Sequence, residues 1–382
     1  MKIIINSAHQ RFGGGVQVAL SFITECIKHP EHEYHVFMGP GVTKSLKEEN
    51  FPNNFKFYYF NFGIVNLLKS FKINRTLKKV EGCIEPDCVI STTGPTYFNS
   101  NASQLIGFNL PLYIYPESPY LESLSLYRKI RLFFKKKFHF YFFKRDAAAY
   151  MVQTEDVNQR VRKVLSTEKV FTVSNTHSSF YNDWIEHPLK LPEKKTQQIR
   201  LLTVSSWYLH KNLEIIPKVL KELKRRGLNN IQFVLTVNED HLQHILTEKQ
   251  DEDIFNVGPV DPKECPSLYN ECDIMFLPTL SECFSASYPE AMVMEKPIIT
   301  TNLGFAKSIC GEAALYYNAK DPLSAADTIE LLIKDQKLWQ NLVKNGKDRL
   351  NLFDTPAKRA EKYLHICENI DKINNNQLID LH

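Results

Sequence analysis

The chain has 382 residues, enough for about two domains, and its 43% hydrophobic and 24% charged content is that of a globular protein with ample core material. A net charge of only +4 gives no ground for a nucleic-acid role, and eight scattered cysteines with no Cys-x2-Cys pair or companion histidine cluster argue for reduced thiols in a cytosolic protein rather than zinc. The opening run Met1–Asn6 turns polar too soon for a signal peptide or a membrane span and reads as a first strand.

The first half alternates strand and helix. Strand Lys2–Asn6 leads through Ser7–Gly15 to a helix from about Val16 to Lys28, with Val18, Ala19, Phe22, Ile23 and Cys26 on its apolar stripe. Strands follow at Glu33–Met38 and Phe55–Phe60, then a basic helix over about 65–80. Further strands are expected at Asp87–Ser91 and Gln104–Phe108. A long amphipathic helical segment is expected from Leu121 to Lys144, then strand Tyr150–Gln153, helix Glu155–Leu165 capped by Thr154, and strand Val170–Ser174. Residues 182–198 are polar and proline-marked, a linker.

A second alternation starts at Arg200. Its strands are expected at 201–204, 231–236, 254–257, 274–277, 297–300 and 314–317. Its helices are expected at 213–226, 239–248, 262–270, 287–295, 322–334 and 336–349, with a last helix over 356–370 before a polar tail. Two such halves define two α/β domains with mostly parallel sheets.

The stretch Pro278–Met292 is the focus of the second half. It follows an apolar strand and carries Glu282 and Glu290, with Pro289 in the first turn of the ensuing helix. Backbone N–H groups around Phe284–Ser287 would suit a phosphate. The two carboxylates could hold the two ends of a nucleoside-diphosphate sugar. Ser287-x-x-Glu290 equally fits a capping box, and spacing alone divides evenly between the two.

Lys211, just before a helix, can neutralise a phosphate, although a solvated surface lysine is the simpler account of it taken alone. Gly13-Gly14-Gly15 allows close backbone approach. A dinucleotide fingerprint fails there, because Val18 stands at its third glycine and no acid ends the Glu33–Met38 strand. His9, His177 and His210 fall on strand-end loops and assemble into no nucleophilic set. Segment 121–145 interleaves basic residues, Lys135, Lys136 and Lys137 among them, with six phenylalanines. An ordinary solvated helix accounts for it, but the Phe density favours a helix lying on an anionic membrane surface.

Together these residues resemble glycosyltransferase family 4, retaining enzymes of the GT-B fold. Glu282 to Glu290 is similar to that family's Glu-x7-Glu motif. Residues 199–335 resemble its donor domain through Lys211-Asn212-Leu213, Gly258-Pro259-Val260, the run Tyr269–Ile274 into Leu277-Pro278-Thr279, Pro297–Asn302 and Gly311–Tyr317. More weakly, Gly13–Gly15 resembles the first glycine loop and Asn175 the strand-end asparagine before the linker. The resemblance implies an α/β GT-B fold, two Rossmann-like domains facing across a cleft. The N-terminal acceptor domain would span 1–181, a linker 182–198 and the donor domain 199–355, with 356–382 crossing back to the first domain.

It further implies a nucleotide-diphospho-sugar donor and retained anomeric configuration, with no metal or other cofactor. Lys211 would bind the diphosphate and stabilise the leaving group. Glu282 would take the transferred sugar's hydroxyls and Glu290 the ribose. The backbone at Phe284, Ser285 and Ala286 would meet the phosphates, with Gly14 and Gly15 opposite. Two departures stand out: Ser206 where the family often has arginine, and Phe108-Asn109 where many members carry histidine.

The expectation is thus a transferase of surface-polysaccharide synthesis. It would act on a glycan or lipid-linked oligosaccharide at the cytoplasmic membrane face, with Asn109, Lys135, Lys136 and Lys137 toward acceptor and membrane and no nucleic-acid partner. The rivals are a sugar-nucleotide 2-epimerase, for which no acid/base pair is found, and a degenerate transferase serving as a partner subunit.

Overall fold

The computed structural model describes residues 1–188, 191–246 and 252–375. Part of the linker, the end of the helix expected at 239–248 and most of the polar tail lie outside them. The chain divides into two compact units. The first comprises Met1–Ile114, Ser125–Asn175 and the chain from Asp354 onward. The second comprises Tyr115–Leu124 and Thr176–Phe353.

The first unit is built on strands β1 (Lys2–Ser7), β2 (Glu33–Met38), β3 (Phe55–Tyr59), β4 (Cys88–Ser91), β5 (Ser103–Gly107), β6 (Ala149–Val152) and β7 (Val170–Thr172). Their order is β3-β2-β1-β4-β5-β6-β7, with parallel pairing throughout. A central parallel strand is covered on both faces, which is why β1 and β4 are continuous apolar runs. Ile3 and Ile5 enter one core with Phe22, Ile23 and Val36, while Ile4 enters the other with Phe37, Ile73, Leu77 and Phe142.

The helix Pro356–Glu368 completes the first of these cores with Ala360, Tyr363, Leu364, Ile366 and Cys367, joined by Ile370 and Ile373. Its buried Arg359 donates to Asn175 Oδ1 and, at 2.7 Å, to Ser21 Oγ. The thiols of Cys88 and Cys367 meet at 2.8 Å inside the same core. No disulfide forms among the described cysteines.

The second unit is built on β8 (Ile199–Thr203), β9 (Ile231–Leu235), β10 (Ile254–Asn256), β11 (Ile274–Leu277), β12 (Ile298–Thr301) and β13 (Ala314–Tyr317). Their order is β10-β9-β8-β11-β12-β13, again all parallel. In each sheet the order reverses once, at β1/β4 and at β8/β11. Loops leaving the carboxyl ends of two such strands diverge and leave a crevice, the usual ligand site of open α/β sheets.

The expected 121–144 helix differs in register. Ser118 caps a short turn Pro119–Glu122, and Ser125 caps a separate helix, Leu126–Asp146, by accepting from the Arg128 N–H. Amphipathic periodicity runs straight through residues 123–125, where the Ser125 cap starts a new helix. The helix expected at 213–226 likewise opens as a 3-10 turn, Leu213–Ile215, before Ile216–Arg225. No helix among the described residues is long and apolar enough to cross a membrane.

Candidate active site

At the β8/β11 reversal, two loops are tied to each other by backbone bonds. β8 ends at Thr203 and its loop closes with the 3-10 turn Leu209–Lys211. The Leu280 N–H donates to the His210 carbonyl at 2.7 Å, and Thr279 Oγ1 lies 3.4 Å from the same oxygen. Asn212, with φ of 54°, turns the chain through the left-handed region that asparagine tolerates. Its Nδ2 donates to the Pro278 carbonyl at 3.4 Å.

These ties bring Lys211 and Glu282 together as an ion pair across the reversal point. Their side chains keep only 15% and 13% of their exposure. Thr279 Oγ1 donates to Glu282 Oε1, at 3.0 Å. A cation and a carboxylate in a shielded crevice interact more strongly than in open solvent. His210, enclosed beside them, is held below its ordinary pKa by burial.

Glu290 sits on the helix Ser287–Val293. The capping-box alternative is not what forms. The N-cap is Ala286 with no side-chain bond, and Ser287 Oγ turns instead to the Val204 carbonyl at 3.4 Å. The Glu290 carboxyl is enclosed, although the residue keeps some exposed surface, and it faces the Tyr181 and Tyr269 hydroxyls, the latter at 3.5 Å. Burial pushes this carboxyl up to about 7, against the opposing pull of those two hydroxyls.

The remaining expected residues distribute as follows. Ser206 is exposed and its carbonyl accepts from Ser205 Oγ. Phe284 packs edge-on against Phe353 at 5.9 Å, Ser285 is buried, and Ala286 precedes the helix. Among the described residues the N–H groups of Phe284, Ser285 and Ala286 have no backbone acceptor.

Gly14 and Gly15 lie in the first unit, where Gly13, with φ of 87°, starts the helix Gly14–Glu25. A Cβ on Gly14 would meet nothing within 4 Å, whereas one on Gly15 would come within 2.9 Å of the Thr93 methyl. Gln10 ties this loop to the end of β4 by donating to Thr92 and Thr93 hydroxyls at 3.1 and 3.0 Å. Asn109 is partly exposed in the loop after β5, and Phe108 is fully buried against Phe143.

Lys135 and Lys137 are exposed, but Lys136 is not free to meet a headgroup. Its amine donates to the Tyr113 carbonyl at 2.7 Å and lies 5.3 Å from the Phe140 ring centre.

Two residues of the site gave no usable signal in the sequence. Tyr181 falls at a domain boundary and Tyr269 inside a motif that assigns it no role, yet both reach Glu290. His9, enclosed in the loop after β1, has no partner for Nδ1 among the described residues, and burial lowers its pKa to about 4. No grouping of three or more His, Cys, Asp or Glu suited to a metal occurs among the described residues.

Fold and site together define the class: two parallel-sheet units of the GT-B type, the second carrying a Lys–Glu pair at its reversal point. Residues 189–349 match the family model described as glycosyl transferases group 1. The chain is 26% identical over 180 residues to the N,N'-diacetylbacillosaminyl-diphospho-undecaprenol alpha-1,3-N-acetylgalactosaminyltransferase of Campylobacter jejuni. That alignment covers 42% of this chain and 48% of the relative, so the chain spans about half the length of the curated relative it matches.

Sucrose-phosphate synthase from Thermosynechococcus elongatus superposes over 97% of this chain and 99% of its own, with TM-score 0.77 at 13% identity. The Anabaena protein Alr3699/HepE, solved in complex with UDP and glucose, superposes over 97% and 100% with TM-score 0.70 at 14% identity. These superpositions show the shared fold.

Proposed function

We propose that the chain is a retaining glycosyltransferase of family 4 type, moving a sugar from a nucleotide-diphospho-sugar to a glycan or lipid-linked acceptor in surface-polysaccharide synthesis. The observation that carries this is the Lys211–Glu282 pair across the β8/β11 reversal, with Glu290 on the following helix. Lys211 supplies the charge that binds the diphosphate and stabilises it as leaving group. Glu282 takes hydroxyls of the transferred sugar and Glu290 the ribose. The backbone at Phe284–Ala286 meets the phosphates, and the bare backbone at Gly14 and Gly15 is assigned to donor approach. The reaction keeps the anomeric configuration and uses no metal.

Support for the donor comes from the match of residues 189–349 and from the UDP and glucose bound by the Anabaena neighbour. Support for a lipid-linked acceptor comes from the name of the Campylobacter relative. A panel of UDP-, GDP- and ADP-sugars, read first by thermal shift and then by transfer to a lipid-linked acceptor, tests the proposal. A stabilising donor and a glycosylated acceptor are expected. Release of an epimerised sugar nucleotide without acceptor, or background turnover equal in wild type and Lys211→Ala, would overturn it.

We place the chain at the inner face of the cytoplasmic membrane, docked through the helix Leu126–Asp146. Leu126, Tyr127, Ile130, Phe133 and Phe134 are all exposed there, between 49% and 74%, beside exposed Lys135 and Lys137. Apolar side chains inserted among basic ones are what an anionic interface binds. Flotation with phosphatidylglycerol vesicles should be lost in Lys135→Glu/Lys137→Glu. Lys136 is left out because it holds Tyr113. Undiminished flotation would refute membrane docking by this helix.

A further inference from the structure

Residues Tyr115–Leu124 belong to the second unit, although the chain on either side of them, up to Ile114 and from Ser125, belongs to the first. What they grip there is specific. Ser118, 3% exposed, donates its hydroxyl to the Leu280 carbonyl at 2.7 Å while accepting from the Tyr120 N–H at 3.3 Å. Tyr120 meets the His210 ring edge-on at 6.1 Å, and Tyr208 stacks on that imidazole at 5.6 Å. The segment is anchored further out by Tyr115 against Phe305 at 6.1 Å and by Lys320 Nζ donating to the Pro119 carbonyl at 2.7 Å.

The two gripped residues are those that fix the charged pair. His210 immediately precedes Lys211, and Leu280 stands two residues before Glu282. Leu280 is held on both sides of its backbone, its N–H on His210 and its carbonyl on Ser118. We propose that residues 115–124 form a strap of the donor domain, in which Ser118 and Tyr120 are positioning residues for Lys211 and Glu282. The strap fixes the two loops from which the charged groups project. A hydroxyl lost at Ser118 frees a buried carbonyl and lets the Glu282 loop shift, and small displacements of groups that clamp a diphosphate cost affinity steeply. The strap's role in donor binding rests on the donor assignment above.

Two measurements on the full chain test this. Hydrogen exchange reads the strap without any ligand. Ser118→Ala and Tyr120→Ala should speed exchange in 208–212 and 279–283 about tenfold while leaving strand β8 protected, and Ser118→Thr and Tyr120→Phe should restore the wild-type rates. Titration with UDP, and in parallel GDP and ADP, reads the consequence. Both alanine variants should bind the nucleotide at least about fivefold more weakly, with the conservative variants within about twofold. Unchanged exchange in both alanine variants would overturn the strap, as would wild-type nucleotide affinity in them. A wild type that binds none of the three nucleotides would instead defeat the donor assignment, and the strap's role in donor binding with it, while the exchange result would still report on the geometry. A variant that merely unfolds would lose protection in β8 as well, and the Thr and Phe variants then carry the comparison.

Discussion

Replacing Glu290 by glutamine should stabilise the second unit increasingly as pH rises. The folded carboxyl is pushed up to about 7 from an ordinary 4.5. Between those values the folded chain still holds a proton that the unfolded chain has lost. Wild-type stability therefore falls as pH rises through this window, and the loss is complete above 7. The full difference is worth ~3 kcal/mol, at about 1.4 kcal/mol for each tenfold change in proton affinity.

At pH 5 the unfolded carboxyl is already mostly ionised, so only part of the loss has accrued. The gain of Glu290→Gln over wild type should be ~2 kcal/mol larger at pH 8 than at pH 5. For a unit of this size that is roughly 4–8 °C in Tm. The constant cost or benefit of an amide between Tyr181 and Tyr269 cancels in the comparison. Thermal unfolding of both proteins at pH 5, 6, 7 and 8 measures it. A difference constant to about 1 °C across that range would refute the reasoning, since it would place the carboxyl near its ordinary value. The same variant should lose donor binding, the trade expected where a site residue is kept at the expense of stability.

Lys211→Ala should lower transfer by at least ~100-fold. It should also cost ~1–3 kcal/mol in urea unfolding, because Glu282 is left shielded without its cation. The double variant Lys211→Met/Glu282→Gln should recover the stability and not the turnover. Arg359→Ala should destabilise the first unit by ~3 kcal/mol in urea, since Asn175 and Ser21 both lose a buried charged donor; an unchanged midpoint would refute this. Gly107→Ala should prevent stable folding, with its Cβ placed 2.0 Å from the Thr92 carbonyl oxygen. Gly14→Ala should leave stability within ~0.5 kcal/mol while weakening donor binding, as measured by unfolding and nucleotide titration side by side.

Much of the architecture was legible because buried parallel strands are short continuous apolar runs, and Ile274–Leu277 and Ala314–Tyr317 stand at the residues expected. Boundaries slipped where local chemistry outranked periodicity, as at Ser125, whose hydroxyl starts a helix in the middle of an unbroken amphipathic pattern. At the site, Lys211, Glu282 and Glu290 could be singled out because each lies on a strand-end loop or the helix behind it. Their partners could not. Ser118 lies 162 residues from Leu280, and Tyr181 stands beside a linker with no motif around it. Lys136 had the composition of a headgroup ligand, and only three-dimensional packing reveals that it serves a carbonyl on its own fold.

The helix Pro356–Glu368 bears on how the molecule is made. Its Ala360, Tyr363 and Leu364 fill a core to which β1, β2 and the helix between them contribute Ile3, Ile5, Phe22, Ile23 and Val36, so the opening strands leave the ribosome more than 300 residues ahead of side chains that help cover them. At the usual ~5–20 residues per second, those strands wait tens of seconds with one face incompletely covered. The second unit, whose sheet lies wholly within residues 199–317, has no such dependence on the end of the chain. Vectorial synthesis would then finish the later sheet before the earlier one, and a chain terminated just before Pro356 would expose an apolar face near its start.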